Sequence, residues 1–165
     1  MAKVYKTIRL AYETKLWLDK LIIFRERQLQ AEIKNGLIKN LELEIQSQFN
    51  ELLNGISLNL VLKVSSGSVL EQAYRYCQKQ NFSEEEWSKI EKRMRHAVKE
   101  ENFQTETTVT PKFYLDEDIL DGLEHYRYTF KSDEPGKRLP LLSYIIKLVV
   151  FAFYDSLIQT GDIEK

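Results

Sequence analysis

Few residues of this chain combine a reactive side chain with a spacing that suits catalysis. His96 lies beside Arg95 in a charged helical stretch. His125 follows Glu124, with no second histidine or cysteine nearby. Neither histidine therefore has the partners that an activated nucleophile or a zinc site requires. With Cys77 expected as a small apolar core residue, we predict that the chain is not an enzyme, has no catalytic residues, and binds no metal and no cofactor.

Three consecutive carboxylates at residues 84–86 resemble an acidic metal site at first sight. They directly follow Ser83, and a glutamate three residues after a serine forms a capping box at the start of a helix. Negative charge is also favoured in the first turn of a helix, where the helix dipole is positive. Helix capping therefore explains these carboxylates better than metal binding does.

Two serine-containing stretches precede apolar residues at helical spacing. Ser66 and Ser68 lead into an apolar pattern across 69–77, and Ser143 is followed by apolar residues two, five and eight positions later. Either serine of the first stretch can cap its helix by accepting a hydrogen bond from a first-turn N–H group. Each stretch alone is explained by an ordinary capped helix, but their similarity predicts a chain organised around two related helices.

The remaining pattern predicts a mainly helical chain with short strands. Residues 3–10 and 103–115 are strand-like, although Pro111 cannot donate to a strand ladder and so favours an edge strand or a short ribbon. Residues 56–63 are open to two interpretations, a strand or an extended connection. From Gly161 onward we expect a frayed tail. Helical spacing covers about 12–34, 37–53, 68–80, 83–101, a helix opening at 116–118, and 141–158.

Composition and charge limit the class of protein. The 165 residues, of which 43% are apolar, suffice for one domain with a core, and the single cysteine fits a reducing, cytoplasmic setting. The formal net charge is −1, but residues 1–34 hold eight Lys/Arg against four Asp/Glu, whereas residues 103–165 hold seven against eleven. This asymmetry indicates one face suited to a polyanion.

The most apolar run, residues 139–158, could belong to a core or to a membrane. Lys147 and Asp155 interrupt it, so it falls short of a clean span of about 20 apolar residues. We predict a buried core helix and no membrane, with a C-terminal membrane helix as the alternative. Residues 1–6 lead into no apolar signal core.

Two parts of the chain resemble the ribbon-helix-helix family of DNA-binding domains. Residues 112–123, KFYLDEDILDGL, resemble the opening of such a domain. TIRL at 7–10 and LWLDKL at 16–21 are similar if one extra residue lies at the turn, and SGSVLEQA at 66–73 resembles the second helix of the family. Such domains bind DNA in pairs, with two strands forming one antiparallel ribbon in the major groove.

The resemblance implies a tandem pseudo-dimer formed by one chain. The chain departs from the family pattern by an insertion between the first two helices, by Pro111 in the second strand, and by Leu141 where the first unit has Ser66. The predicted fold is mainly α with short β-strands, and it comprises a first unit at 1–80 with an inserted helix at 37–54, a linking helix at 81–102 and a second unit at 103–165. We expect these parts to form one compact domain.

The resemblance also implies roles for individual residues. Outward-facing strand residues contact bases, and Arg9 and Lys112 are suited to guanine acceptors, with each good bidentate contact worth about 1–3 kcal/mol of discrimination. Helix N-termini and nearby cations hold phosphates. The predicted base contacts are Tyr5, Thr7, Arg9, Thr110, Lys112 and Tyr114, and the predicted phosphate contacts are Lys3, Lys6, Ser66, Ser68, Lys137, Arg138 and Ser143.

Two functions of different class follow from these patterns. The first is sequence-specific binding of double-stranded DNA by a cytoplasmic bacterial protein, as a transcriptional repressor or as an accessory factor of a plasmid or conjugation system, with self-association on DNA left open. The second is a non-enzymatic helical interaction or scaffold protein. In that case the helices at 37–53 and 141–158 bury against a protein partner, and the serines are only caps.

Overall fold

Helices make up most of the chain, and a few short strands join its two ends. The structure is a computed structural model that describes residues 2–101 and 108–165, so the strand pattern expected at 103–107 lies outside the described residues. The prediction of a mainly α fold with short strands is confirmed. The elements are β1 (Lys3–Thr7), β2 (Leu10–Ala11), α1 (Tyr12–Lys34), α2 (Leu37–Gln48), α3 (Ser66–Gln80), α4 (Glu84–Glu100), β3 (Thr108–Val109), β4 (Lys112–Asp116), α5 (Glu117–Thr129) and α6 (Leu142–Thr160).

The four strands of the described residues form one antiparallel ribbon in a single register. Thr7 of β1 lies opposite Lys112 of β4, and Leu10 of β2 lies opposite Val109 of β3. Between these two pairs, one strand advances by three residues and the other goes back by three, so the register is the same in both ladders. Between the two ladders the N–H of Ile8 donates to the carbonyl of Pro111 at 3.2 Å. Because proline has no N–H to return, the ladder is interrupted there, while the pairing continues on both sides.

The inner face of the ribbon covers the helical core. Phe113 and Leu115 are fully buried and alternate with exposed residues, as the period of two requires for a half-buried strand. Leu10 continues the same buried row from the opposite strand. Helix α3 packs on both β4 and α6, so the ribbon and these two helices share one core.

Helix α6 lies at the centre of that core and contacts α1, α3, α4 and α5. It is long and apolar enough, with a mean hydropathy of 1.4, to span a membrane by composition, and half of its most apolar window is buried inside the fold. The two charges that interrupt its apolar run have partners on neighbouring helices. Lys147 pairs with Glu13 at 2.5 Å, and Asp155 pairs with Arg93 at 2.8 Å.

The cap of α3 differs from the sequence prediction. Ser65 caps the helix, whereas Ser66 and Ser68 were expected to do so. Ser65 has extended backbone angles, its hydroxyl accepts from the N–H of Ser68 at 3.1 Å, and its own N–H donates to the Ser68 hydroxyl at 2.9 Å. Ser68 thus takes the place that a glutamate takes in the usual capping box. The box predicted for Ser83 and Glu86 is confirmed.

Two further expectations about element ends are wrong. Helix α2 ends at Gln48 instead of continuing to residue 53, and residues 50–55 form turns. The tail is not frayed at its start, since Gly161 adopts a left-handed conformation and the next two N–H groups donate to the Leu157 carbonyl. Ile163 then packs against the core.

The close approach of α3 to β4 requires a glycine at position 67. A Cβ atom there would lie 2.4 Å from the Tyr114 carbonyl oxygen, closer than any van der Waals contact allows. We expect Gly67→Ala to lower the free energy of unfolding by about 1–3 kcal/mol, because two backbones would have to separate. Urea denaturation measures this change. The neighbouring Ser66→Ala variant is the control, with an expected change within about 0.5 kcal/mol, and equal stability of both variants would contradict the close packing.

Candidate nucleic-acid interface

The outer face of the ribbon carries all six residues that were predicted to contact bases. Alternation places Tyr5 and Thr7 of β1 on the face opposite the buried row, together with Lys112 and Tyr114 of β4. In the interrupted part of the ribbon, Arg9 extends this face because its Nε donates to the Thr108 hydroxyl at 2.8 Å. The exposed residues of this face that the prediction named are Tyr5, Thr7, Arg9, Thr110, Lys112 and Tyr114.

An aromatic pair with two lysines occupies the middle of this face. The rings of Tyr5 and Tyr114 lie directly opposite each other, with centroids 4.6 Å apart. Lys112 Nζ lies 4.3 Å from the centroid of the Tyr5 ring, and Lys3 Nζ lies 5.5 Å from that of Tyr114. The two strands thus repeat a Lys-x-Tyr pattern around an approximate twofold axis. Cation–π attraction stabilises these two lysine side chains over the rings and so restricts their motion.

A buried carboxylate ties one end of the ribbon to α3. Glu71 is only 4% exposed, and its Oε1 accepts from the Asp116 N–H at 2.7 Å and from Lys3 Nζ at 3.1 Å. Arg75 adds a cation 3.5 Å from the same carboxylate. The hydrogen bond from Lys3 to Glu71 raises the pKa of the Lys3 ammonium, so this lysine is charged but already neutralised by its neighbours.

Positive charge without a carboxylate partner is concentrated at the other end. Within residues 2–101 and 108–165, neither Arg9 nor Lys112 forms an ion pair, whereas Lys3 also lies 3.6 Å from Asp116. Lys6 is exposed nearby on the same strand. The two halves of the ribbon therefore share a pattern of residues but differ in net electrostatic character.

The predicted phosphate-binding residues fall into separate groups. The start of α3 lies against β4 through Gly67, which brings Ser66 and Ser68 beside the ribbon. The Ser68 hydroxyl is engaged in the helix cap, where it also donates to the Ser65 carbonyl at 3.0 Å. Lys3 and Lys6 belong to β1. Ser143 is half-buried in the first turn of α6, which has no side-chain cap, and the exposed Lys137 and Arg138 lie in the loop before it.

Sequence reasoning missed the residues that anchor the ribbon. Glu71 was seen only as part of a helical stretch, and Arg75 and Asp116 were given no role in the site. A signal was present, because Glu71 directly follows Leu70 on the apolar side of the α3 pattern, where a charged residue needs a partner. The partner could not be identified, since Asp116 and Lys3 are brought there by the fold.

The structure accounts for the positions of two other chemically reactive side chains, Cys77 and His96. Burial raises the pKa of Cys77 to about 12, and the thiol lies in the core 3.8 Å from the Val149 carbonyl, which confirms its expected role as a core residue. His96 is exposed and lies 3.1 Å from Glu100 of the next helical turn. No group of three or more potential metal ligands occurs in the part of the chain that the structure describes.

Comparison with known proteins finds no relative of this chain. No protein-family model, curated protein or solved structure matches this chain.

The anchoring role of Glu71 gives a prediction about stability. We expect Glu71→Ala to lower the free energy of unfolding by about 1–3 kcal/mol, because the half-buried Asp116 N–H loses its acceptor. Glu71→Gln keeps a carbonyl oxygen for that N–H and should lose less. Chemical denaturation of both variants checks the order. Glu85→Ala, which removes a carboxylate from an exposed pair, is the control and should change little; a Gln variant as unstable as the Ala variant would contradict the assigned hydrogen bond.

Proposed function

We propose that the chain binds double-stranded DNA sequence-specifically, with the ribbon of residues 3–11 and 108–116 in the major groove. The observation that carries this proposal is the shared outer face, on which the six predicted base-contact residues are exposed together. A two-stranded ribbon fits the major groove, which is about 12 Å wide and presents a distinct pattern for each base pair. Neighbouring side chains of one such face can therefore read successive base pairs.

The order and packing of the elements support the tandem ribbon-helix-helix interpretation. Strand β1 is followed after a short continuation by α1, and β4 is followed directly by α5. Each unit then continues to a second helix, α3 or α6, and these two helices pack against each other. The pairing of β1 with β4 joins the units as the two strands of a ribbon-helix-helix dimer are joined. In this proposal one chain supplies both halves.

The chemistry of the outer face suits base edges in the groove. Lys112 and Arg9 are donors for the O6 and N7 acceptors of guanine, and the threonine hydroxyls can donate or accept. The stacked Tyr5 and Tyr114 rings add flat apolar surface that can contact a thymine methyl group, together with hydroxyl groups. The exposed Lys6 of β1 and the first-turn N–H groups of α3 supply phosphate contacts that orient the ribbon without reading sequence.

A protein with this activity would act on a defined DNA site. We therefore propose a transcriptional repressor or an accessory DNA-binding factor of a plasmid or conjugation system, in the cytoplasm of a bacterium. Neither role needs a cofactor or a catalytic group, because recognition of the site by the ribbon is itself the activity.

A second candidate function is that of a non-enzymatic interaction protein. The observation that favours it is the exposed apolar surface of α2 and of the residues that follow it, where Leu43, Leu52 and Val61 are 56%, 74% and 82% exposed. A surface of this kind commonly marks a binding site for another protein. This candidate uses a different part of the chain and is compatible with DNA binding by the ribbon.

The DNA-binding proposal predicts that the cationic end of the ribbon determines sequence preference. Duplexes selected from a random library should bind tightly, with an affinity that falls steeply as salt rises. The double variant Arg9→Ala/Lys112→Ala should bind a selected duplex no better than an unrelated one, since each lost base contact removes about 1–3 kcal/mol of discrimination. Fluorescence anisotropy over a salt series measures both affinities, and circular dichroism should show unchanged helix content.

A matched control separates base reading from general electrostatics. Arg27→Ala/Lys39→Ala removes the same two side-chain types from exposed positions on α1 and α2. This variant should keep its preference for the selected duplex. If the ribbon variant also keeps both affinity and preference, the ribbon does not read bases. If the unmodified chain enriches no duplex even at low salt, the DNA-binding proposal is wrong and the interaction function is favoured.

A further inference from the structure

Residues 22–64 form an arm that lies outside the core except at its two ends, where Ile22 and Val64 pack against the core. The arm comprises the second half of α1, helix α2 and the segment that leads to α3, and all of these residues are described. Not one of them is buried, whereas the first half of α1 buries Trp17, Leu18 and Leu21. Because most helical stability in proteins comes from tertiary packing, so long a solvated stretch with an apolar sequence is unusual unless it has a partner.

The arm exposes large apolar side chains from adjacent parts. Ile23 of α1 and Leu62 line one groove, while Ile56 and Gln46 of α2 line another, so the two helices and the segment are neighbours. Six large apolar residues of the arm are about half to four-fifths exposed. They are Ile23, Leu43, Phe49, Leu52, Ile56 and Val61.

The segment 57–64 has the pattern of a strand but no strand partner. Its even-numbered residues are half-buried and its odd-numbered residues are exposed, which is the period of two of an extended chain. Among the described residues its backbone forms no hydrogen bond with the backbone of another part of the chain. Such an edge is a template for pairing with another strand.

We infer that the arm is a dimerisation surface and that its occupant is the same arm of a second copy of this chain. The 57–64 segments of the two copies pair antiparallel across a twofold axis. Such an interface is isologous, so each segment supplies both the donors and the acceptors that the other needs. When one residue lies on the axis, even-numbered residues face even-numbered residues, and the half-buried faces of both copies stay on the same side.

The surface and charge of the arm fit this occupant. At their exposed fractions the six apolar residues each offer on the order of 60 Å², or roughly 400 Å² together. A standard interface buries about 800 Å² per partner, of which a little over half is apolar. The arm also holds five Lys/Arg and five Asp/Glu, so two copies meet with no net repulsion. Because the arm and the ribbon are different parts of the chain, we expect the dimer to form with or without DNA on the ribbon.

Sedimentation equilibrium of the full chain, over about 1 to 100 μM, tests the inference. We expect a reversible dimer whose dissociation constant rises about tenfold or more for Leu52→Asp, because a charge must then enter the apolar surface, and for Val61→Asp, because two like charges then share one face of the paired strands. Both side chains are mostly exposed in the monomer, so helix content should not change. Tyr128→Asp on α5, where the tyrosine is 64% exposed, is the matched control and should leave the dimer intact.

Cysteine cross-linking tests the antiparallel pairing. Single cysteines placed at residues 57 to 63 in turn should form disulfide-linked dimers with a maximum at one position, the residue on the axis, and the native Cys77 is too buried to interfere. Dimerisation with such a maximum supports the inference. A chain that stays monomeric at every concentration, a dimer unaffected by Leu52→Asp and Val61→Asp, or cross-linking without a maximum would overturn it. A partner protein that binds the arm while the chain alone stays monomeric would overturn it as well.

Discussion

The pairing of β1 with β4 is the constraint on which the rest of the structure depends. It joins residues 3–7 to residues 112–116, so the chain between these two strands must fold back on itself to bring them together. Closing so long a loop costs entropy, although the cost grows only slowly with length. The cost is offset by apolar burial on the inner face, where Phe113 and Leu115 contribute with α3 and α6 to one core.

The register of this pairing decides what the outer face presents. A slip of β4 by one residue would turn Phe113 and Leu115 to solvent and bury Tyr114 and Lys112. Two features oppose such a slip. The buried row fits the core in one register only, and Glu71 accepts the N–H of Asp116 while it also binds Lys3, so the helix fixes the end of both strands. A buried carboxylate is costly without partners, and here its partners are the strand ends themselves.

Much of the fold could be predicted where the signal is local. The bounds of α1 followed from helical spacing and the Asn35-Gly36 stop, the cap at Ser83 from its glutamate three residues later, and the strands from alternation. The predictions failed where the answer depends on contacts distant in sequence. Nothing local distinguishes Ser65 from Ser66 as the cap of α3, and the partners of Glu71 belong to strands that meet only in the folded chain. The end of α2 was misplaced because the apolar spacing continues through Phe49, Leu52 and Leu53 although the chain turns there.

The single chain also removes a constraint that a dimer of identical chains would obey. In such a dimer both ends of the ribbon carry the same charges. Here the twofold axis between Tyr5 and Tyr114 relates Lys3 to Lys112, but the residue opposite Lys3 is Asp116 and the residue opposite Lys112 is Thr7. Lys3 is consequently held by two carboxylates, whereas Lys112 rests on a tyrosine ring with its charge unpaired by any described residue. Since the attraction of a phosphate or a guanine depends on unpaired positive charge, the proposed DNA binding would be stronger at the Lys112 end of the ribbon. A DNA site recognised by this face would then have no reason to be palindromic.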